Sequence, residues 1–328
     1  MSERPSYPVV DLHADLLWRT EVRGKDPWKE CAGEMMDLPR MLAHGPSIQC
    51  LTLYTPGDRS GEAATAYAEE LQAIWVGLVE RGEGRLGWVR TRTDLLAAPA
   101  DGLSGLLTME GASPLRGELD LLDHFHALGV RSLGLTHNPR NEAGDGCMVP
   151  AATRGGLTEF GRGLVRRSAE LGILLDVAHL APEGFDDLLD EVGRLPSPVP
   201  VVSTHTGARA LTDHVRNLTD AQLRALQQTG GLVGITLYPP HVETGRRSPP
   251  TLIDAFEHLE HMVEVCGIDH VAVGADLDGF DPPGLPGGDS PVLYGNLVAG
   301  LRERGWSADD VAKAMGGNAI RVLASVLN

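Results

Sequence analysis

No apolar run in this chain approaches the ~20 residues needed to cross a bilayer, so no membrane-spanning helix is expected. Residues 1–7 are polar, with no basic segment leading into an apolar one, and the last residues carry no hydrophobic anchor-signal tail. Neither an export signal nor an anchor is expected, and the cytoplasm is the expected location. Cysteine is scarce. Cys31, Cys50, Cys147 and Cys266 are scattered with no Cys-x-x-Cys pair, which argues for reduced packing residues and against a disulfide framework. In an unexported chain the sequon Asn217-Leu218-Thr219 carries no message. Basic residues are outnumbered, 28 against 45 acidic, for a net charge of −17. Such a surface repels phosphates, so neither nucleic acid nor an anionic membrane is an expected partner. No glycine-rich dinucleotide fingerprint follows the first strand-like segment, which weighs against an open doubly wound sheet. Linkers and low-complexity tracts are also missing, so residues 1–328 are expected to form one domain.

What the chain does have is a regular alternation. Eight short segments rich in aliphatic and β-branched residues recur at 9–15, 48–54, 105–111, 130–137, 173–179, 199–205, 232–238 and 270–276. Most are continuous apolar runs, the pattern of strands buried on both faces of a parallel sheet. Helical periodicity fills 62–81, 158–171, 219–229, 252–266 and 311–327, with Thr-Glu and Thr-Asp cap signals opening two of them. Strand and helix alternating eight times predict an α/β fold, a closed (β/α)₈ TIM-type barrel. Pro-rich 195–200, 248–250 and 281–291 are expected as barrel loops, the last overhanging a site.

The polar residues lie where such a barrel does chemistry. The strand-like segments end in His13-Ala14-Asp15, Glu110, His137, His179, His205, Tyr238 and Asp276-Leu277-Asp278. In a parallel barrel the carboxyl ends of the strands meet on one rim, so these side chains converge. His-x-Asp is weak alone, because it arises often by chance. Glu110 alone is as readily a buried acid paired with an arginine, and His179 or His205 alone a satisfied core histidine. Together, three imidazoles and two carboxylates on one rim suit zinc, with a position left open for water on each ion and Glu110 as a bridge.

The motifs Asp11-Leu12-His13-Ala14-Asp15, Met109-Glu110-Gly111, Leu135-Thr136-His137-Asn138, Asp176-Val177-Ala178-His179, Thr204-His205-Thr206 and Gly274-Ala275-Asp276-Leu277-Asp278-Gly279 resemble, in order, those of the membrane (renal) dipeptidase family of the metal-dependent amidohydrolase superfamily. Gly156 to Gly161, Val215-Arg216-Asn217-Leu218 and Gly317-Asn318 are also similar to the family's pattern. The resemblance implies a zinc dipeptidase with two ions per chain. His13, Asp15 and Glu110 would hold one, and Glu110, His179 and His205 the other. It further implies that His137 and Arg216 contact substrate and that Asp276 is the acid–base residue. Three motifs depart from the family: Thr204-His205-Thr206 replaces Ser-His-Ser, Thr236-Leu237-Tyr238 replaces Asn-Phe-Tyr, and Gly-Ala-Asp-Leu-Asp replaces Gly-Gly-Asp-Phe-Asp. These bear on substrate preference more than on catalysis.

On that footing a hydroxide bridging the ions attacks the amide carbonyl. His137 steadies the oxyanion, and Asp276 moves the proton to the leaving nitrogen. Arg216, with Tyr238 assisting, takes the terminal carboxylate of a dipeptide. Asp278 is expected to orient a loop rather than bind metal. A surface ion pair is the alternative for Arg216, and barrel-mouth packing for Tyr238. Two other functions compete: a related amidohydrolase acting on N-acyl amino acids, cyclic amides or esters, and a non-catalytic binding protein on a barrel scaffold. The second expects a lost ligand, and none is missing. Family members are often dimeric, so a homodimer is open, although the sequence carries no interface signature.

Overall fold

The computed structural model describes residues 7–328. Residues 1–6, on which the expectation of an unexported chain partly rests, lie outside the described residues. Nine parallel strands form the sheet: β1 (Val10–Ala14), β2 (Ile48–Tyr54), β3 (Leu86–Trp88), β4 (Leu103–Glu110), β5 (Val130–Gly134), β6 (Leu174–Asp176), β7 (Val201–Thr206), β8 (Leu232–Ile235) and β9 (Val271–Val273). Eight of them close a ring in the order β1-β2-β4-β5-β6-β7-β8-β9, shut where Asp11 pairs with Val273. This is the (β/α)₈ barrel, and each expected strand segment overlaps one of the eight. The extra strand, β3, lies alongside the first residues of β4, where Leu86 pairs with Leu103 and Trp88 with Gly105. Its three residues, Leu-Gly-Trp, carry no aliphatic run that would announce a strand.

Two strands slip in register near their carboxyl ends. Along β1, Asp11 pairs with Gln49 but Ala14 with Leu51; along β7, Ser203 pairs with Val233 but Thr206 with Ile235. Each slip is a bulge, one extra residue that bends a strand end and re-aims its side chains. His13 and His205 lie within these two bulges.

The helices start where threonine caps them. Glu159–Leu171 is capped by Thr158, and Asp220–Gln228 and Leu252–Cys266 open with capping boxes, Thr219 with Gln222 and Thr251 with Asp254. Glu62–Arg81 matches its expected bounds. The continuous helix expected over 311–327 is instead broken into Ala308–Ala312, a π turn at Lys313–Gly317 and Asn318–Val326. Close packing explains the break. A side chain on Gly316 would lie 2.2 Å from the Pro8 carbonyl oxygen, and the Asn318 amide donates to the carbonyls of Ile268 and Val271. The last helix then buries Ala319, Val322 and Leu323 against Val10, Ile48, Leu174 and Leu232 at the strand starts, closing the barrel's amino-terminal mouth. All four cysteines are free, three of them buried. Asn217 is also buried, its amide donating to the carbonyls of Thr212 and His241. Among the described residues no helix is long and apolar enough to cross a membrane.

Candidate active site

At the open, carboxyl-terminal rim the strand ends deliver their side chains into one cavity of about 320 Å³. Glu110, the last residue of β4, lies at its floor. Its Oε1 is 2.9 Å from His179 Nε2, 3.5 Å from His205 Nε2 and 3.6 Å from His13 Nε2. His13 Nε2 is in turn 3.4 Å from Asp15 Oδ2 and 3.9 Å from Asp276 Oδ1. Residues from five strand ends, some 260 positions apart in the chain, thus share one small volume. Asp15 gets there by a different route from simple strand alternation. His13 lies in the bulge, and Asp15 is past the strand, as the N-cap of the helix Leu16–Arg23.

The outer nitrogens of two rings decide what the inner ones present. His179 Nδ1 lies 2.8 Å from Asn138 Oδ1, and His205 Nδ1 lies 2.9 Å from Thr204 Oγ1, whose hydroxyl donates to Asp176. With Nδ1 protonated on each ring, both Nε2 atoms carry lone pairs, and these face each other at 3.0 Å. Two lone pairs at that distance repel; Arg216 Nη2, 2.8 Å from His205 Nε2, relieves part of this, and a metal cation beside Glu110 would relieve the rest. His13 Nε2 is buried without any hydrogen-bond partner. The donor set, imidazole nitrogen and carboxylate oxygen around one carboxylate, fits zinc or a similar divalent ion.

Electrostatics point the same way. Burial, reinforced by Asp15 and Asp276, pushes Glu110 up to about 8, although His13 opposes it. Burial likewise pushes Asp276 up to about 7. For His13 burial works against the charged ring, but Glu110, Asp15 and Asp276 outweigh it and raise it to about 10. Burial and the nearby Arg216 hold His179 neutral, burial and His13 do the same for His205, and His137 falls to about 3. Carboxylates crowded in a dry pocket are relieved by a multivalent cation.

The other expected residues also line the cavity. His137 belongs to a donor group with Glu110 and His179 whose atoms lie within 4.8 Å of one another, and Asp276 to one with His13 and His205. Either could therefore coordinate as well as move protons. Arg216 is buried in the cavity wall, not in a surface ion pair; its Nη2 lies 2.8 Å from His205 Nε2 and its Nε has no partner. Tyr238 packs between His241, which it meets edge-on at 4.6 Å, and Phe280, tilted against it at 5.0 Å. Asp278 accepts from the Met35 amide, so it holds the loop ahead of the helix Leu38–His44. No residue of the 281–291 loop lines the cavity; Phe280, just ahead of it, does, and Asp281 bonds Arg19 and Arg23.

Strain concentrates here. His179, Asp276 and Asp278 adopt φ of 67°, 63° and 63°, left-handed values that cost a non-glycine residue about 1–2 kcal/mol each. Gly279 is fixed by close approach, since a Cβ would lie 2.1 Å from Asp276 Oδ1 and 2.7 Å from Asp15 Oδ2. Sequence reasoning assigned no role to Asn138, Asp176 or Thr204, which hold the histidines, nor to Trp18, Tyr54, His214 and Phe280 in the cavity wall. Asp176 had a signal, a lone charge inside the apolar run Leu174-Leu175-Asp176-Val177-Ala178. Tyr54 had one too, since it ends the 48–54 segment as Tyr238 ends 232–238, while Trp18, His214 and Phe280 had none.

The family model described as membrane dipeptidase (peptidase family M19) matches residues 4–328. The chain belongs to this family. Dipeptidase aclJ of Aspergillus oryzae is 33% identical over 226 residues, 68% of this chain and 52% of that protein. Dipeptidase tcpJ of Claviceps purpurea is 34% identical over 223 residues, 68% of this chain and 51% of that one. The chain thus spans about half the length of these fungal relatives. Among solved structures, the M19 metallopeptidase dipeptidase AC superposes with a TM-score of 0.90 at 31% identity, covering 98% of this chain and 99% of that one. A Rhodobacter sphaeroides metallopeptidase, liganded with a phosphinate mimic of the dipeptide L-Ala-D-Ala, gives 0.89 at 29% identity, covering 98% and 100%. As a family member the chain carries an amidohydrolase-type barrel.

Proposed function

We propose that this M19 chain is a zinc dipeptidase holding two ions, with His13, Asp15 and Glu110 on one, and Glu110, His179 and His205 on the other. One observation carries the reading: three imidazole Nε2 atoms converge within 3.6 Å of a single oxygen of Glu110. A carboxylate so surrounded by donors is arranged to bridge. Bound there, the ions would supply Lewis-acid activation of a water and of the amide carbonyl. Asp276, raised to about 7, is poised to take a proton near neutral pH and return it to the leaving nitrogen. His137, uncharged in its buried position, is suited to donate to the oxyanion without carrying charge into the ground state. Arg216 and Tyr238 face the cavity and would take the terminal carboxylate of the substrate. The cavity volume suits a molecule of dipeptide size, and the ligand of the Rhodobacter relative makes L-Ala-D-Ala the first candidate.

The test is metal analysis combined with a substrate panel. The reconstituted protein should carry about two zinc ions per chain and hydrolyse L,L- or L,D-dipeptides in preference to N-acyl amino acids. A stoichiometry that stays near one removes Glu110 as the bridge. Hydrolysis of N-acyl amino acids or cyclic amides in preference to dipeptides would replace the dipeptidase reading with the wider amidohydrolase one.

A further inference from the structure

Beneath the rim, two buried aspartates repeat one arrangement. Asp11 Oδ1 accepts from the amide of His13, two residues on, and from the amide of Ala275 beyond β9, both at 3.0 Å. Its Oδ2 accepts from the Tyr294 hydroxyl at 2.6 Å. Asp176 Oδ1 accepts from the amide of Ala178, again two residues on, and from the amide of Thr204 in β7, both at 2.9 Å. Its Oδ2 accepts from the Thr204 hydroxyl at 2.5 Å. Each carboxylate therefore ties its own strand end to a neighbour's. The amides of His13 and Thr204 both lie in the register slips of β1 and β7. The two ties also divide the rim. Asp11 joins the ends that carry His13, Asp15 and Asp276, and Asp176 joins those that carry His179 and His205.

Asp176 goes one bond further. Thr204 Oγ1 lies 2.9 Å from His205 Nδ1. A hydroxyl has one proton, and a carboxylate can only accept it. With that proton committed to Asp176, Thr204 can only accept from the ring, so the imidazole proton is held on Nδ1. The Nε2 lone pair is turned inward, where it accepts from Arg216 Nη2 at 2.8 Å beside Glu110 and His179. We propose that Asp176 and Thr204 are positioning residues that select the tautomer of His205 and thereby control binding of the ion shared by Glu110, His179 and His205. The proposal rests on the two-ion reading above and adds that the second ion answers to a carboxylate that never touches it.

The polarity of this relay can be reversed without changing its shape. In Asp176→Asn the amide oxygen can still accept from the Ala178 and Thr204 amides, but the amide nitrogen now donates to Thr204 Oγ1. The hydroxyl is released to donate to His205 Nδ1, and the ring proton moves to Nε2, facing the ion's position. The readouts are histidine ¹⁵N correlation spectra of the metal-free protein, with His205 assigned by its replacement, and titration with zinc alone against a chromophoric chelator. Wild type and Thr204→Ser should show His205 protonated at Nδ1 and take up two ions. Asp176→Asn should show Nε2 protonation and bind one of its two ions roughly 10- to 100-fold more weakly, with the other unchanged. Thr204→Val, which leaves the ring no fixed acceptor, should weaken the same ion, and it carries the test should the asparagine variant not fold. Loss in Thr204→Ser equal to that in Thr204→Val, or two-ion affinity in Asp176→Asn equal to wild type, overturns the proposal. A wild type that takes up only one ion defeats the two-ion reading instead. The relay is then decided by the spectra, and Nδ1 protonation in Asp176→Asn overturns it.

Discussion

Replacing Arg216 by methionine keeps the apolar stem and removes the guanidinium. The side chain is 5% exposed, with Nε unpartnered and Nη2 against His205, so its fork has donors to spare for a ligand in the cavity. A hydrogen bond to a charged group contributes about 1.5–3 kcal/mol, and truncating one partner of a buried pair costs about 2–5 kcal/mol. We expect Arg216→Met to lower kcat/KM for a free dipeptide by about 2–4 kcal/mol, roughly 30- to 1,000-fold at about 1.4 kcal/mol per decade. The substitution has a second effect. Burial holds Glu110 and Asp276 up at about 8 and about 7, and Arg216 is one of the cations pulling against it. Its removal pushes Asp276, the acid–base group, higher and shifts the acid limb of the pH profile upward for any substrate. Steady-state kinetics on a dipeptide and its C-terminal amide across pH separates the two effects. On the alkaline plateau the acid should lose its full factor while the amide, already a poor substrate, changes little. Equal losses there refute the assignment of Arg216 to the substrate carboxylate.

Three further outcomes are expected. Glu110→Ala should lose at least one metal ion and nearly all activity while the far-ultraviolet circular dichroism stays that of a folded barrel, because the core is aliphatic; full metal content would remove Glu110 from the ligand set. Asp276→Asn should keep both ions by elemental analysis yet stop turnover, since an amide cannot accept the proton; loss of metal would make Asp276 a ligand instead. Glu110 rises from 4.5 to about 8, Asp276 from 3.8 to about 7 and His13 from 6.5 to about 10. A group whose pKa is raised by folding contributes stability below its unfolded value and loses it as pH rises through the folded one. Below about pH 6.5 the depressed His137, His179 and His205 act in the opposite sense. The melting temperature of chelator-treated protein should therefore fall only from about pH 7 to about pH 10, and the gain on adding zinc should be larger at the alkaline end. A flat or rising profile would count against this electrostatic account.

The eight barrel strands were legible because burial on both faces leaves an unbroken aliphatic run, and the rim residues because chemistry-bearing side chains followed those runs so regularly. What the sequence hid depends on register. The bulges in β1 and β7 insert a residue without any change of composition, yet they bring the His13 and Thr204 amides onto Asp11 and Asp176. The tie between Asn138 and His179 spans 41 positions and is decided by how two loops meet. Trp18 and Phe280 reach the cavity from a helix and a loop whose direction no periodicity encodes. The π turn at Lys313–Gly317 likewise answers to a neighbour, the Pro8 carbonyl, rather than to its own helix-forming residues.

The barrel's closing seam joins the first strand to the last. Asp15 donates its amide to Leu277, Asp276 donates to His13, and Asp11 reaches Ala275. A chain still emerging from the ribosome can therefore display His13 and Asp15 for most of its synthesis without owning the partners that make them a centre. Until Leu277 has left the exit tunnel the ends of β1 and β9 have no seam to hold them, although Glu110, His179 and His205 are already made. This side of the rim therefore takes its shape only once the last strand has been made, and a chain cut short before β9 leaves His13 and Asp15 unheld.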